Sequence, residues 1–196
     1  RKSKGAVTTP EHIVHNTIDS TVPSEYLQSL TNQQILDLKF LDPACGSGVF
    51  LVSIYDHLAT QIESNIEERK DVLPHRYLYE KDGKKYLNLE GRKLIVNQCL
   101  HGVDINQECV EVAKLSLSLK IIDGFEPIDF NNAGLYGSQI LHGVGVNIKC
   151  GNSLVEPDIL ERFSCISENL EELAATNVFD YKTAFCDIFS RGGLGS

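Results

Sequence analysis

The chain has no methionine, no Cys-x-x-Cys pair and no apolar run of 18 residues, and it sets 18 Lys and Arg against 27 Asp and Glu. Each shortage narrows the field. Without a long apolar run, no segment is suited to cross a bilayer as a helix. No signal-peptide pattern opens the sequence, so a cytoplasmic location is expected. Cys45, Cys99, Cys109, Cys150 and Cys165 sit among apolar neighbours, which reads as reduced, buried thiols rather than a zinc site or a disulfide framework. His12 and His15 stand three apart on a predicted helix, but no further ligand is spaced to complete a metal site. The formal net charge of −9 argues against strong duplex-DNA binding by these residues alone, because phosphate affinity rests on concentrated Lys and Arg. Lys81, Lys84, Lys85, Arg92 and Lys93 read as solvated surface, and Arg1-Lys2-Ser3-Lys4 is a small local positive cluster. A chain of 196 residues without methionine departs from ordinary composition, so the sequence reads as an internal piece of a longer protein. Internal repeats and low-complexity tracts are absent.

What is present is an ordinary globular composition, 42% apolar, at a length that suits one α/β unit. The most informative stretch is Phe40-Leu41-Asp42-Pro43-Ala44-Cys45-Gly46-Ser47-Gly48-Val49-Phe50-Leu51. Leu38 to Leu41 reads as the end of a buried strand. Gly46 and Gly48 permit a sharp turn and a close approach to a ligand. Val49, Phe50, Leu51, Ile54 and Leu58 then recur at helical steps, so the turn empties into a helix N-terminus with free N–H groups. A dinucleotide fingerprint would place a third glycine at Leu51 and an acidic residue roughly 20 positions later. Here the next strand-end carboxylate, Asp104, comes much later, and an Asp-Pro pair precedes the glycines. Such a loop suits a cofactor with an amino acid end: Asp42 can face an ammonium group, and backbone N–H groups around Cys45 to Gly48 can face a carboxylate. S-adenosylmethionine has both, plus an adenosine that needs a ribose carboxylate further along.

The Asp42 to Leu51 run resembles the first cofactor motif of the N6-adenine DNA methyltransferases of restriction-modification systems. Gly5-Ala6-Val7-Thr8-Thr9-Pro10 resembles the threonine-proline motif that precedes the first strand in that family. Gly102-Val103-Asp104-Ile105-Asn106, leading into Ala113-Lys114-Leu115-Ser116-Leu117, resembles the ribose-binding strand end and its helix. Ile148-Lys149-Cys150-Gly151-Asn152-Ser153-Leu154 resembles the adenine-binding strand end. The resemblance implies a Rossmann-like α/β methyltransferase fold, a parallel sheet flanked by helices. It also implies methyl transfer from S-adenosylmethionine to adenine N6 of double-stranded DNA, which is contacted mostly through other regions. Restriction and specificity modules, fused or separate, are the implied partners. The family's catalytic tetrapeptide, Asn/Asp/Ser-Pro-Pro-Tyr/Phe, is not found in the 196 residues. The piece is therefore expected to be inactive alone, to contain no catalytic residue and to bind no metal. Other methyltransferases acting on protein, RNA or a small molecule share the fold, and a non-catalytic cofactor-binding subunit of a defence complex is the alternative from another class.

The pattern predicts an N-terminal helical segment over residues 1–37 and a partial methyltransferase domain over 38–196. Helices are expected over Pro10–Val22, with Thr9 as N-cap, and over Leu27–Leu36, Val49–Glu68, Leu89–Gln98, Gln107–Ile122 and Glu156–Ala175. Leu100–Val103 and Asn147–Cys150 are the further strands, 71–88 a hairpin insertion, and Gly124–Val146 a loop. Strand, helix and strand in this order imply parallel pairing. Spacing and resemblance together assign Asp42 to the methionine ammonium. They assign Ala44, Cys45, Gly46 and Gly48 to backbone contact with the methionine end, and Asp104 to the two ribose hydroxyls. Ile105 falls to the adenine face, Asn152 to the adenine edge, and Thr8, Thr9 and Pro10 to closure over the cofactor. Cys45 is a turn residue here, not a nucleophile.

Overall fold

A computed structural model describes residues 9–68, 73–125, 143–155, 157 and 177–191. Helix α1 (Glu11–Thr21) buries Val14 and Ile18, and Pro10, not Thr9, holds its N-cap position with φ −58°. The single helix expected over Leu27–Leu36 is two, α2 (Ser24–Gln28) and α3 (Asn32–Asp37). Thr31 causes the break: its hydroxyl accepts from Gln34 N while the Gln34 side chain accepts from Thr31 N, a reciprocal cap that starts a new helix. Leu38 closes α3, so strand β1 is Phe40–Asp42, displaced from the Leu38–Leu41 expectation.

Helix α4 (Val49–Glu67) turns Leu51, Tyr55, Leu58, Ile62 and Ile66 inward at steps of three and four. A hairpin follows, β2 (Leu78–Lys81) against β3 (Lys84–Leu87). Asp82 and Gly83 between them have φ 53° and 73°, the left-handed pair that a two-residue I′ turn requires. Helix α5 (Leu89–Cys99), capped by the Asn88 side chain on Gly91 N, leads into β4 (Leu100–Asp104). Helix α6 (Gln107–Ile122) begins at an Asn106 side-chain cap and buries Val110, Ala113, Leu117 and Ile121. Strand β5 (Ile148–Cys150) and two short helices, α7 (Tyr181–Ala184) and α8 (Cys186–Arg191), complete the described elements. Most of the expected Gly124–Val146 loop and nearly all of the expected Glu156–Ala175 helix lie outside the described residues.

The main sheet has the order β1-β4-β5, both pairs parallel, with Asp42 opposite Gly102 and Asp104 opposite Cys150. Parallel neighbours need crossover connections, which α4, α5 and α6 supply. Leu51, Leu58, Ile62, Ile95, Leu100 and Leu117 are fully buried in one cluster that also takes in Leu27, Ile35 and Leu36 from the N-terminal helices. Each such side chain contributes about 1.5–3 kcal/mol of transfer free energy, against the conformational entropy lost on ordering. Asn65 on α4 anchors the N-terminal helices: its Nδ2 donates to the buried Asn32 Oδ1 at 2.9 Å and to Leu30 O at 3.3 Å. A second, smaller cluster joins Val103 of β4 to Phe179 and Phe185. These elements form the expected α/β architecture, a parallel sheet flanked by helices.

Candidate functional site

Parallel pairing brings three polar side chains to one edge. Strand β1 ends at Asp42, β4 ends at Asp104, and Asn152 stands two residues past β5. Open parallel sheets bind ligands outside this carboxyl edge, where strand ends diverge into loops.

Asp104 connects all three strand ends. Its Oδ2 accepts from Gly46 N at 2.9 Å, its Oδ1 accepts from Asn106 N at 2.8 Å, and its carbonyl oxygen accepts from Gly151 N at 2.9 Å. An ionised carboxylate offers about four lone-pair sites, so the two side-chain bonds leave about two for a ligand. Asp42 Oδ1 accepts from Ala44 N at 3.0 Å. Burial pushes the Asp42 carboxyl above its ordinary range; the bond from Ala44 opposes this, and the charge of Asp104 adds to the rise.

Between these carboxylates runs the glycine turn. Gly46 has φ 51° and Gly48 has φ 86°, and a Cβ on Gly48 would lie 3.1 Å from that of Ala113. Glycine therefore lets the start of α4 rest against α6. The N–H groups expected to face a cofactor are already engaged within the chain. Ala44 N donates to Asp42, Cys45 N to Val103 O at 2.9 Å, Gly46 N to Asp104 and Gly48 N to Cys45 O at 2.8 Å. At the α4 N-cap, Gly48, no side chain caps the helix, so its first-turn donors are the ones offered outward. Cys45 is buried, and burial followed by the Asp42 and Asp104 charges pushes its thiol up to about 12. It stays protonated at neutral pH, as a turn residue should.

Ile105, beside Asp104, is 60% exposed. Asn152 Oδ1 accepts from Leu154 N at 3.2 Å, and its backbone N donates to Asn177 O at 2.7 Å in a parallel bridge to Val178. Thr9 lies in a groove with Ser47 and Val49, next to the turn. Pro10 is exposed at the head of α1, and Thr8 lies outside the described residues. The groove, about 840 Å³, runs along the helices and is not lined by Asp42, Asp104 or Asn152.

Two features escaped sequence reasoning. Gly102 lies against the turn: a Cβ there would meet Leu51 Cδ1 at 3.0 Å and Cys45 Sγ at 3.1 Å, and the available signal was a glycine inside a strand. The pairing of Asn177 and Val178 with Asn152 has no local signal at all. Of the basic residues, Lys84 pairs with Glu67, Lys93 with Glu90 at 3.1 Å, and Arg92 donates to the carbonyls of Ile121 and Asp123. Among the described residues no helix is long and apolar enough to cross a membrane.

Comparison with known proteins decides the class. Residues 16–156 match the family described as the MmeI DNA-methyltransferase domain. The chain belongs to that family. It is 28% identical over 158 residues to the type II restriction enzyme and methyltransferase RM.Eco57I of Escherichia coli, an alignment covering 78% of this chain and 14% of the relative. It is 29% identical over 222 aligned positions to the putative type II restriction enzyme and methyltransferase RM.MjaORFECS2P of Methanocaldococcus jannaschii, covering 95% and 17%. This member of the family thus spans about one-sixth or less of the length of those relatives. A solved structure of the type IIL restriction-modification enzyme MmeI in complex with DNA aligns with 92% of the chain and 28% of that protein, at 18% identity and a TM-score of 0.48.

Proposed function

We propose that this chain is the cofactor-binding part of a DNA adenine-N6 methyltransferase of a restriction-modification system. Its methyl donor is S-adenosylmethionine, and double-stranded DNA is contacted mostly by residues outside it. What carries this is the meeting of Asp42, Asp104 and Asn152 at one sheet edge around the glycine turn, in a chain of the MmeI methyltransferase-domain family.

The residues fit the cofactor group by group. The lone pairs left on Asp104 suit a vicinal diol, and exposed Ile105 beside it suits an adenine face. Asn152 keeps amide donors for the adenine edge. Asp42, raised by burial and by its acidic neighbour, gains from an ammonium group. The uncapped first turn of α4 suits a carboxylate, and Thr9 with Pro10 flanks the turn. S-adenosylmethionine supplies a methyl group already activated by positive sulfur. No side-chain nucleophile is needed, and the residues here bind and orient. The flipped target base is read by groups outside these 196 residues, which contain no Pro-Pro dipeptide.

Two measurements test this. Calorimetric titration with S-adenosylmethionine is expected to show saturable binding that Asp104→Ala abolishes; equal binding by both removes Asp104 from the site. Mass spectrometry of DNA methylated by the longer enzyme that carries this chain is expected to find N6-methyladenine, and methylcytosine alone would overturn the adenine assignment.

A further inference from the structure

A second surface begins beside the glycine turn, at Thr9, Ser47 and Val49, and runs from there along the helices. Helices α1 and α6 both pack on α4, and between them the groove follows Val49, Val52, Ser53, Asp56 and Thr60 of α4. These positions recur at steps of three and four, so they form one stripe, about 17 Å long at 1.5 Å per residue. Helix α6 presents a parallel stripe through Ser116 and Leu119. One turn earlier on the same face stand Val112 and Leu115, and Val112, Leu115 and Leu119 are 47%, 53% and 53% exposed. Helix α1 supplies the other wall with Glu11, Val14, His15 and Ile18, again at helical steps. Three helix faces around an open trough of about 840 Å³, with a smaller recess of about 360 Å³ adjoining it at His15, Ser53 and Asp56, make a seat for a fourth helix.

Charge on the rim selects the occupant. Among the described residues, Glu11, Asp19, Asp56 and Asp123 line the groove against a single ammonium, Lys120, which is held 3.0 Å from Asp56 and 4.0 Å from Asp123. A ligand edged with Lys or Arg is attracted, whereas a phosphate backbone or an acidic helix is repelled. We propose that this groove docks an amphipathic partner helix of about three turns, with an apolar stripe at i, i+3, i+4 and i+7 and basic flanks.

The test is fluorescence anisotropy with a labelled Leu/Lys model helix about three turns long, titrated into the full chain. Saturable one-to-one binding is expected, weakened at least about tenfold by Leu115→Asp with Leu119→Asp. Both side chains are exposed, so circular dichroism should be unchanged. The substitutions add negative charge, so unchanged or tighter binding by the variant would reduce the effect to bulk electrostatics and overturn the proposal. Equal binding of a Leu/Glu helix would overturn it as well. Sedimentation showing that the wild type dimerises through these residues would assign the groove to a second copy instead.

Discussion

Replacing Asp104 by Asn removes one charge and turns one acceptor into a donor, with almost no change of shape. In the native chain both carboxylate oxygens accept backbone N–H groups, from Gly46 at 2.9 Å and from Asn106 at 2.8 Å. The amide can accept only one of them and points an N–H at the other. A hydrogen bond to a charged group contributes about 1.5–3 kcal/mol, and Asp104 is half-buried, which places the loss near the lower figure. For a chain of this size, about 1.5 kcal/mol lowers Tm by roughly 3–6 °C. A ribose hydroxyl that loses its ionised acceptor adds a similar term, about ten- to hundredfold in affinity. Two assays separate the effects. Amide hydrogen exchange at Gly46, without cofactor, reports the latch and should accelerate; calorimetry with S-adenosylhomocysteine reports the ribose contact and should weaken. Faster exchange with affinity unchanged would leave the latch and end the ribose role. Unchanged exchange together with affinity within about twofold would refute both.

Gly48→Ala should lower stability by about 1–3 kcal/mol, because φ is 86° and the new methyl meets Ala113 at 3.1 Å; a wild-type Tm would contradict the close α4–α6 approach. His101 is 4% exposed, and its Nδ1 has no partner among the described residues. Burial, with help from the Lys39 charge and against the backbone groups of Cys99 and Phe40, holds its imidazole below the ordinary 6.5. The unfolded chain therefore takes up the proton first, and the stability due to neutral His101, full above about pH 6.5, should be lost as pH falls toward the depressed value. His101→Gln should flatten that part of the Tm profile, and an identical profile would exclude the residue. Phe185→Ala should cost about 3 kcal/mol by opening the small cluster on Val103 and His101, and limited proteolysis should then cut within 181–191 first.

Local chemistry was legible, and long-range pairing was not. Asp82-Gly83 announces its hairpin because only a left-handed pair closes a two-residue turn, and Asn106 announces α6 because its side chain caps the helix. The break between α2 and α3 was also written in the sequence, as Thr31 three residues before Gln34. It is easily overlooked where the apolar period runs on from Leu27 to Leu36. The glycine turn and the strand-end carboxylates could be placed on one edge from their order alone. The destinations of the turn's N–H groups could not, since Gly46 meets Asp104 across 58 positions and no local pattern fixes which oxygen faces which donor.

That pairing changes what the turn does. A flexible glycine loop that wrapped its ligand on arrival would lose conformational entropy at each binding event. Here Cys45, Gly46 and Gly48 already have their N–H groups engaged within the chain, so the bend exists before any ligand does. The same closeness leaves Asp42 and Asp104 opposing each other, and the raised Asp42 carboxyl records part of that opposition. A cationic ligand end relieves the repulsion, while a phosphate increases it. On the proposed function, discrimination between a sulfonium cofactor and phosphorylated nucleotides would follow from two acidic groups held at one rim, without any residue dedicated to rejecting phosphate.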